Sequence, residues 1–147
     1  MHAPEYVSTM RLLLPLLRRQ ETFSVTPFEK LCDYFAYSWN RGTFAYVIEA
    51  GVPRGVCVIK LFSKPEQFLD EFVHQPEGMF MMVVAMIADS AETMGKLHDE
   101  LLERWGPRQI ILWERGSRTE YGSPRIYTWA MFEKLAKRIT KNGLIPA

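Results

Sequence analysis

The stretch "EGMFMMVVAMIAD", Glu77 to Asp89, constrains this chain more than any other, because the ten residues from Met79 to Ala88 are all apolar. A helix that crosses a bilayer needs about 20 such residues, so the run is too short to span a membrane. Periodicity does not separate a buried helix from a buried strand here, since an unbroken apolar run satisfies both periods. The boundaries do separate them. Gly78 precedes the run, and Asp89 or Ser90 followed by Glu92 starts a separate helix, "AETMGKLHDELLERWG". That helix carries Met94, Leu97, Leu101 and Trp105 on one face and ends at Gly106-Pro107. Ten residues apolar on both sides and passed directly into a helix read as a central strand covered on both faces.

The flanking segments extend this pattern. "TFAYVIEA" and "GVCVIKLF" are rich in β-branched and aromatic residues, and "GVPR" between them suits a turn, so Thr43 to Phe62 reads as an antiparallel hairpin. "SKPEQFLDEFVH" carries a helix start signal, with Ser63 as cap, Glu66 at the third position and Phe68, Leu69 and Phe72 on one apolar side. After the central strand and its helix, "QIILWERG" reads as a strand reached by a crossover and therefore parallel to it. "SRTEYGSPR" reads as a loop or wide hairpin, and Ala130 to Ile139 as a terminal helix.

The first forty residues read as helical. "STMRLLLPLLRRQ" is expected to break or kink at Pro15. A second helix opens at "TPFE", with Thr26 as cap, Pro27 at the first position and Glu29 closing a capping box. Leu31, Cys32 and Phe35 would face the core, and the helix would fade near "SWNRG". At 147 residues the chain fits one domain, residues 1–147, with a helical part over 1–42 and a sheet core with terminal helix over 43–147. Such a domain buries roughly two thirds of the surface its unfolded form exposes, so neither a disulfide nor a metal staple is required. The expected fold class is α/β (α+β), a mixed, mostly antiparallel sheet with helices on both faces.

"FAYVIEAGVPRGVCVIKLF" followed by "PEQFLDEFVH", and "MFMMVVAMIAD…LHDELLERWG…QIILWERG" after it, give an order of two helices, hairpin, long strand, helix and strand. That order resembles the GNAT acyltransferase superfamily, over about Phe44 to Ile139. Within it the pattern is most similar to the toxin-activating lysine acyltransferases. The resemblance implies an acyl donor, either acyl-CoA or a loaded acyl-carrier protein. Acetyl-CoA users of the superfamily follow the central strand with a Q/R-x-x-G-x-G/A loop, where bare backbone N–H groups and a helix N-terminus hold the pyrophosphate. Here that place reads "IADSAETMG", with no glycine before Gly95 and with Asp89 and Glu92 where phosphates would sit. The toxin-activating enzymes pair a His in an early helix with an Asp on the central strand. This chain has only His2, His74 and His98, and no Asp within Met79 to Ala88, so neither catalytic residue carries over.

The remaining candidates each have a chemical and a packing reading. His98 and His74 could serve as general bases, but a single His without a placed partner more often packs than reacts. Glu49 on the hairpin could activate an amine, or be a solvated or salt-bridged strand carboxylate. Cys57, between Val56 and Val58, could be a nucleophile only if exposed beside a base; in a strand it reads as core. Cys32 and Cys57 lack CxxC spacing, so no metal is expected. Reduced buried thiols suit a cytoplasmic setting.

The one positive constellation is "WERGSRTEYGSPRIYTW". It gathers Arg115, Arg118 and Arg125 with Trp113, Tyr121, Tyr127 and Trp129, a mixture suited to anions and to flat rings that stack. The region is also charged. From Arg104 to Lys141 there are nine Lys/Arg against three Asp/Glu, while the rest of the chain has nine against fourteen. Two readings stand beside each other: a solvated basic loop whose aromatics pack inward, or an anion- or partner-binding set, Arg115, Arg118, Arg125, Tyr121 and Tyr127, for a protein partner, a second copy of the chain or nucleic acid. "LLLPLL" is too short and Pro-interrupted for a signal segment, and no membrane association is expected. The two functional expectations are an acyltransferase-related protein whose acetyl-CoA site is degenerate, and a non-catalytic assembly or interaction protein. Small GNAT-like proteins without the phosphate loop occur among phage-encoded proteins, which would place the second kind in a virion.

Overall fold

The computed structural model describes residues 2–113 and 124–134. Two helices come first, α1 (Pro4–Leu17) and α2 (Phe28–Arg41), then the strands β1 (Phe44–Glu49), β2 (Val52–Phe62) and β3 (Phe80–Ala88). Helix α3 (Ala91–Trp105) follows, then β4 (Gln109–Trp113) and β5 (Pro124–Tyr127). Residues 129–134 are helical; the rest of the expected terminal helix, to Ile139, lies outside the described residues. The five strands lie in chain order in one sheet, so the apolar decapeptide forms its middle strand. Only β3 and β4 run parallel, and the other three pairings are antiparallel. The mixed, mostly antiparallel expectation holds, and α3 supplies the crossover that a parallel neighbour needs.

Each face of the sheet has its own core. On one side Met10, Leu13 and Leu17 of α1 and Leu31, Cys32 and Phe35 of α2 pack on Val56, Val58, Ala85 and Ile87. On the other, Leu97, Leu101 and Trp105 of α3 pack on Cys57, Ile59, Leu61 and Met81. Strand β2 alternates cleanly between the two. Helix α3 sits close: a Cβ on Gly55 would lie 2.8 Å from both Leu97 Cδ1 and Thr93 Cγ2.

Four local expectations are corrected. Pro15 does not break α1, which runs on to Leu17; Pro15 and Arg11, whose carbonyl loses its donor, are both on the solvent face. Thr26 does not cap α2. Pro27 occupies the N-cap with no side-chain cap, Glu29 closes no box, and the Thr26 hydroxyl donates to the Thr22 carbonyl at 3.2 Å. The Thr26 carbonyl accepts from Arg18, which also donates to Phe23 O at 2.9 Å and so ties down the α1–α2 connection.

The hairpin turn is Ala50-Gly51, at φ 51° and 76°, and not "GVPR". Two positive-φ residues match the twist of the paired strands, and Pro53 is accommodated because β2 meets β3 only from Gly55 onward. The segment after β2 is no amphipathic helix but a single 3-10 turn, Pro65–Leu69. Gln67 Oε1 accepts from the Ser63 and Lys64 N–H groups at 3.1 and 2.9 Å. Leu69 and Phe72 are 68% and 64% exposed, so a helix here would have no surface to pack against, and an isolated helix of that length is not stable. The side chain of Phe68 lies outside the described residues.

Candidate functional site

The chemistry-bearing features gather where β3 leaves the sheet. Along β2 the register jumps between Val58, opposite Ala85, and Ile59, opposite Val83, which leaves Val84 as an extra residue in β3. This bulge reverses the facing of the strand. Met81 and Val83 point toward α3, whereas Ala85 and Ile87 point toward α1 and α2. A bulge bends a strand and tightens its twist, and here pairing with β4 covers only Phe80 to Met82 opposite Gln109 to Ile111. Strand β3 continues to Ala88 and β4 to Trp113. Beyond Met82 the two parallel strands part, and the β4-side edge of β3 has no strand partner among the described residues. Gln20, in the α1–α2 connection, donates from Nε2 to the carbonyl of the bulged Val84 at 3.2 Å and holds the bend.

The strand ends in a tight handover to α3. Asp89 N–H donates to Arg54 O at 2.8 Å, Thr93 N–H to Ser90 Oγ at 3.1 Å, and Met94 N–H to Ser90 O at 3.0 Å. Ser90 is thus the cap, as expected from "DSAE". The carboxylates expected to face phosphates are present but matched. Asp89 Oδ2 meets Arg54 Nη1 at 2.8 Å, and that guanidinium holds the Asp89 carboxyl below its ordinary range. Lys96 Nζ lies 3.6 Å from Glu49 and 3.8 Å from Glu92. Glu49 is the salt-bridged strand carboxylate of the packing reading.

The other candidates are placed as follows. Cys57 is fully buried, and burial pushes its thiol up to about 12, far from a nucleophile's range. Cys32 is buried and raised by the same cause. His74 is lowered by burial and by Arg41. His98 packs against Phe132 and Trp129, with ring centroids 5.8 and 6.4 Å away, and its Nε2 is buried without a hydrogen-bond partner. Among the described residues, no acid is hydrogen-bonded to it to make a catalytic pair. Of the expected anion-binding set, Arg115, Arg118 and Tyr121 lie outside the described residues. Arg125 and Tyr127 are placed by backbone on β5, opposite Leu112 and Ile110, and their side chains lie outside the described residues.

Gln20, Arg54 and the Val84 bulge were not singled out from the sequence. Nothing local marks them, because Gln20 and Val84 are 64 residues apart and Arg54 and Asp89 are 35 apart. A cleft of about 400 Å³ also opens between the α1–α2 connection, α2 and the segment before β3, lined in part by Phe23, Lys30, Tyr34, Glu71 and Phe72. Among the described residues, no cluster of His, Cys, Asp and Glu could hold a metal, and no helix is long and apolar enough to cross a membrane.

No protein-family model matches the chain, and no curated protein does. Among solved structures, the chain is similar to the GphF GNAT-like decarboxylase in complex with isobutyryl-CoA, at 16% identity and a TM-score of 0.51. The alignment covers 80% of this chain and 66% of that one, so this chain spans slightly less than two thirds of its neighbour. At that identity the likeness concerns architecture alone. The mixed sheet with helices on both faces is a GNAT-like fold.

Proposed function

We propose that this is an acyltransferase-related protein that lays an acyl-thioester arm along the free edge of β3. The supporting observation is the three-rung ladder between β3 and β4, after which β3 runs on for six residues with no strand paired to that edge among the described residues. An exposed strand edge is a row of donors and acceptors, and an extended amide chain such as pantetheine can pair with it as another strand would. The isobutyryl-CoA in the structural neighbour is in keeping with such a ligand. The toxin-activating enzymes remain the functional comparison that the sequence pattern suggests. No residue is assigned to catalysis: Cys57 is core, Glu49 is salt-bridged, and no acid pairs with His98 among the described residues.

S-isobutyryl-pantetheine should raise the melting temperature, because a ligand that binds only the native state stabilises it, by about 2.7 kcal/mol at a hundred times its Kd. An unchanged transition at millimolar ligand would end this reading. The second reading is a non-catalytic assembly or interaction protein. It is favoured by Val25, Leu69, Phe72 and Met79, which are 87%, 68%, 64% and 59% exposed. It predicts an oligomer or complex that Phe72→Asp together with Leu69→Asp would dissociate; a monomeric elution profile for the parent protein would argue against self-assembly.

A further inference from the structure

We infer that the handover from β3 to α3 excludes the nucleotide end of coenzyme A, so that the thioester accepted is one on a pantetheine arm without the ADP diphosphate. The inference rests on the thioester reading above and concerns what lies beyond the arm. Coenzyme A is the group that the fold implies, and its phosphates would fall beyond the end of β3, at the start of α3. A diphosphate is held there by bare backbone N–H groups, by small residues that let it approach, and by an excess of positive charge.

The residues present meet the first two in part and the third not at all. The N–H groups of Asp89, Thr93 and Met94 already donate to Arg54 O, Ser90 Oγ and Ser90 O, which leaves those of Ser90, Ala91 and Glu92 at the start of α3. Between Gly78 and Gly95 there is no glycine, so Asp89, Ser90, Ala91 and Glu92 all present side chains at the turn. Among the described residues, Asp89, Glu49 and Glu92 place three carboxylates there against two cations, Arg54 and Lys96. The Glu92 side chain, 83% exposed and 3.8 Å from Lys96 Nζ, adds negative charge beside any anion bound there. A diphosphate would have to compete with Asp89 for Arg54 and then still face Glu49 and Glu92, which share one cation, Lys96. A neutral pantetheine arm, by contrast, ends before it meets them.

Isothermal titration with three compounds tests this. S-isobutyryl-pantetheine is expected to bind at least tenfold more tightly than isobutyryl-CoA, and adenosine 3′,5′-bisphosphate should give no heat. The gap between the thioesters should narrow as salt rises, because screening weakens the repulsion of exposed charges. Glu92→Lys combined with Glu49→Gln should raise affinity for isobutyryl-CoA and leave S-isobutyryl-pantetheine unchanged. A fourth titrant, an isobutyryl-loaded carrier protein, tells a free arm from a protein-borne one: binding tighter than the free arm's identifies the carrier as the source, and equal binding identifies the arm alone. Isobutyryl-CoA binding as tightly as the pantetheine thioester, or heat from the bisphosphate alone, would overturn the exclusion. Failure of every thioester to bind would instead remove the thioester reading and this inference with it.

Discussion

Cys57 lies at 0% exposure between Val56 and Val58, and Cys32 at 2% on α2, with burial raising both thiols. The thiolate is the reactive form, so neither should react with a disulfide reagent at pH 8 in the native protein, and both should react in denaturant. Release of one equivalent of chromophore under native conditions would show that a core strand or helix is open. Asp89 gives a second test. Its carboxyl is depressed chiefly by the hydrogen bond from Arg54, so its stabilising effect is present above the ordinary carboxylate pKa and is lost as pH falls through the lower folded value. Asp89→Asn should therefore unfold at lower urea than the parent at pH 7, with the gap closing as pH drops below about 4. A gap that widens in acid would have the wrong sign for this pair.

Between elements, two glycines should respond in opposite directions. A Cβ on Gly78 would sit 2.1 Å from Phe62 O, so Gly78→Ala must push the start of β3 from the end of β2 and should cost about 3 kcal/mol. Gly95 is inside α3 with nothing within 4 Å, and Gly95→Ala should stabilise by about 0.5–1 kcal/mol through helix propensity. Denaturant midpoints for the two variants check both signs. These elements also mark how far the sequence could be read. Helix α3 was legible to its cap, because Ser90, Glu92 and the 3.6-residue spacing of Met94, Leu97, Leu101 and Trp105 agree with one another. The place of β3 was legible from its length and flanks, but its bulge was not. Met, Val, Ala and Ile suit either core, so one extra residue leaves no trace in the pattern. The segment after Ser63 carried local start signals, but Leu69 and Phe72 lacked a surface to bury against, which only the assembled sheet reveals. At the candidate site the carboxylates Glu49, Asp89 and Glu92 were readable, whereas Arg54 and Gln20 depend on contacts between distant parts of the chain.

At the scale of the described molecule, the two large cores lie on opposite faces of the sheet, and β2 contributes side chains to both. Strand β2 is held by β1 on one side and β3 on the other, with Val56 and Val58 in one core and Cys57, Ile59 and Leu61 in the other. Its amides cannot reach solvent unless both helical layers lift together. Deuterium uptake should consequently be slowest across Val56 to Leu61, at a rate set by global unfolding, while the exposed 65–72 segment labels at once. A single residue of the bulge, Val84, stands beside this most protected strand, its carbonyl held by Gln20, in the stretch of β3 that carries the proposed ligand edge. Occupying that edge should therefore slow labelling of β3 well before it alters β2, making the bulge a reporter of binding that is insensitive to the stability of the fold around it.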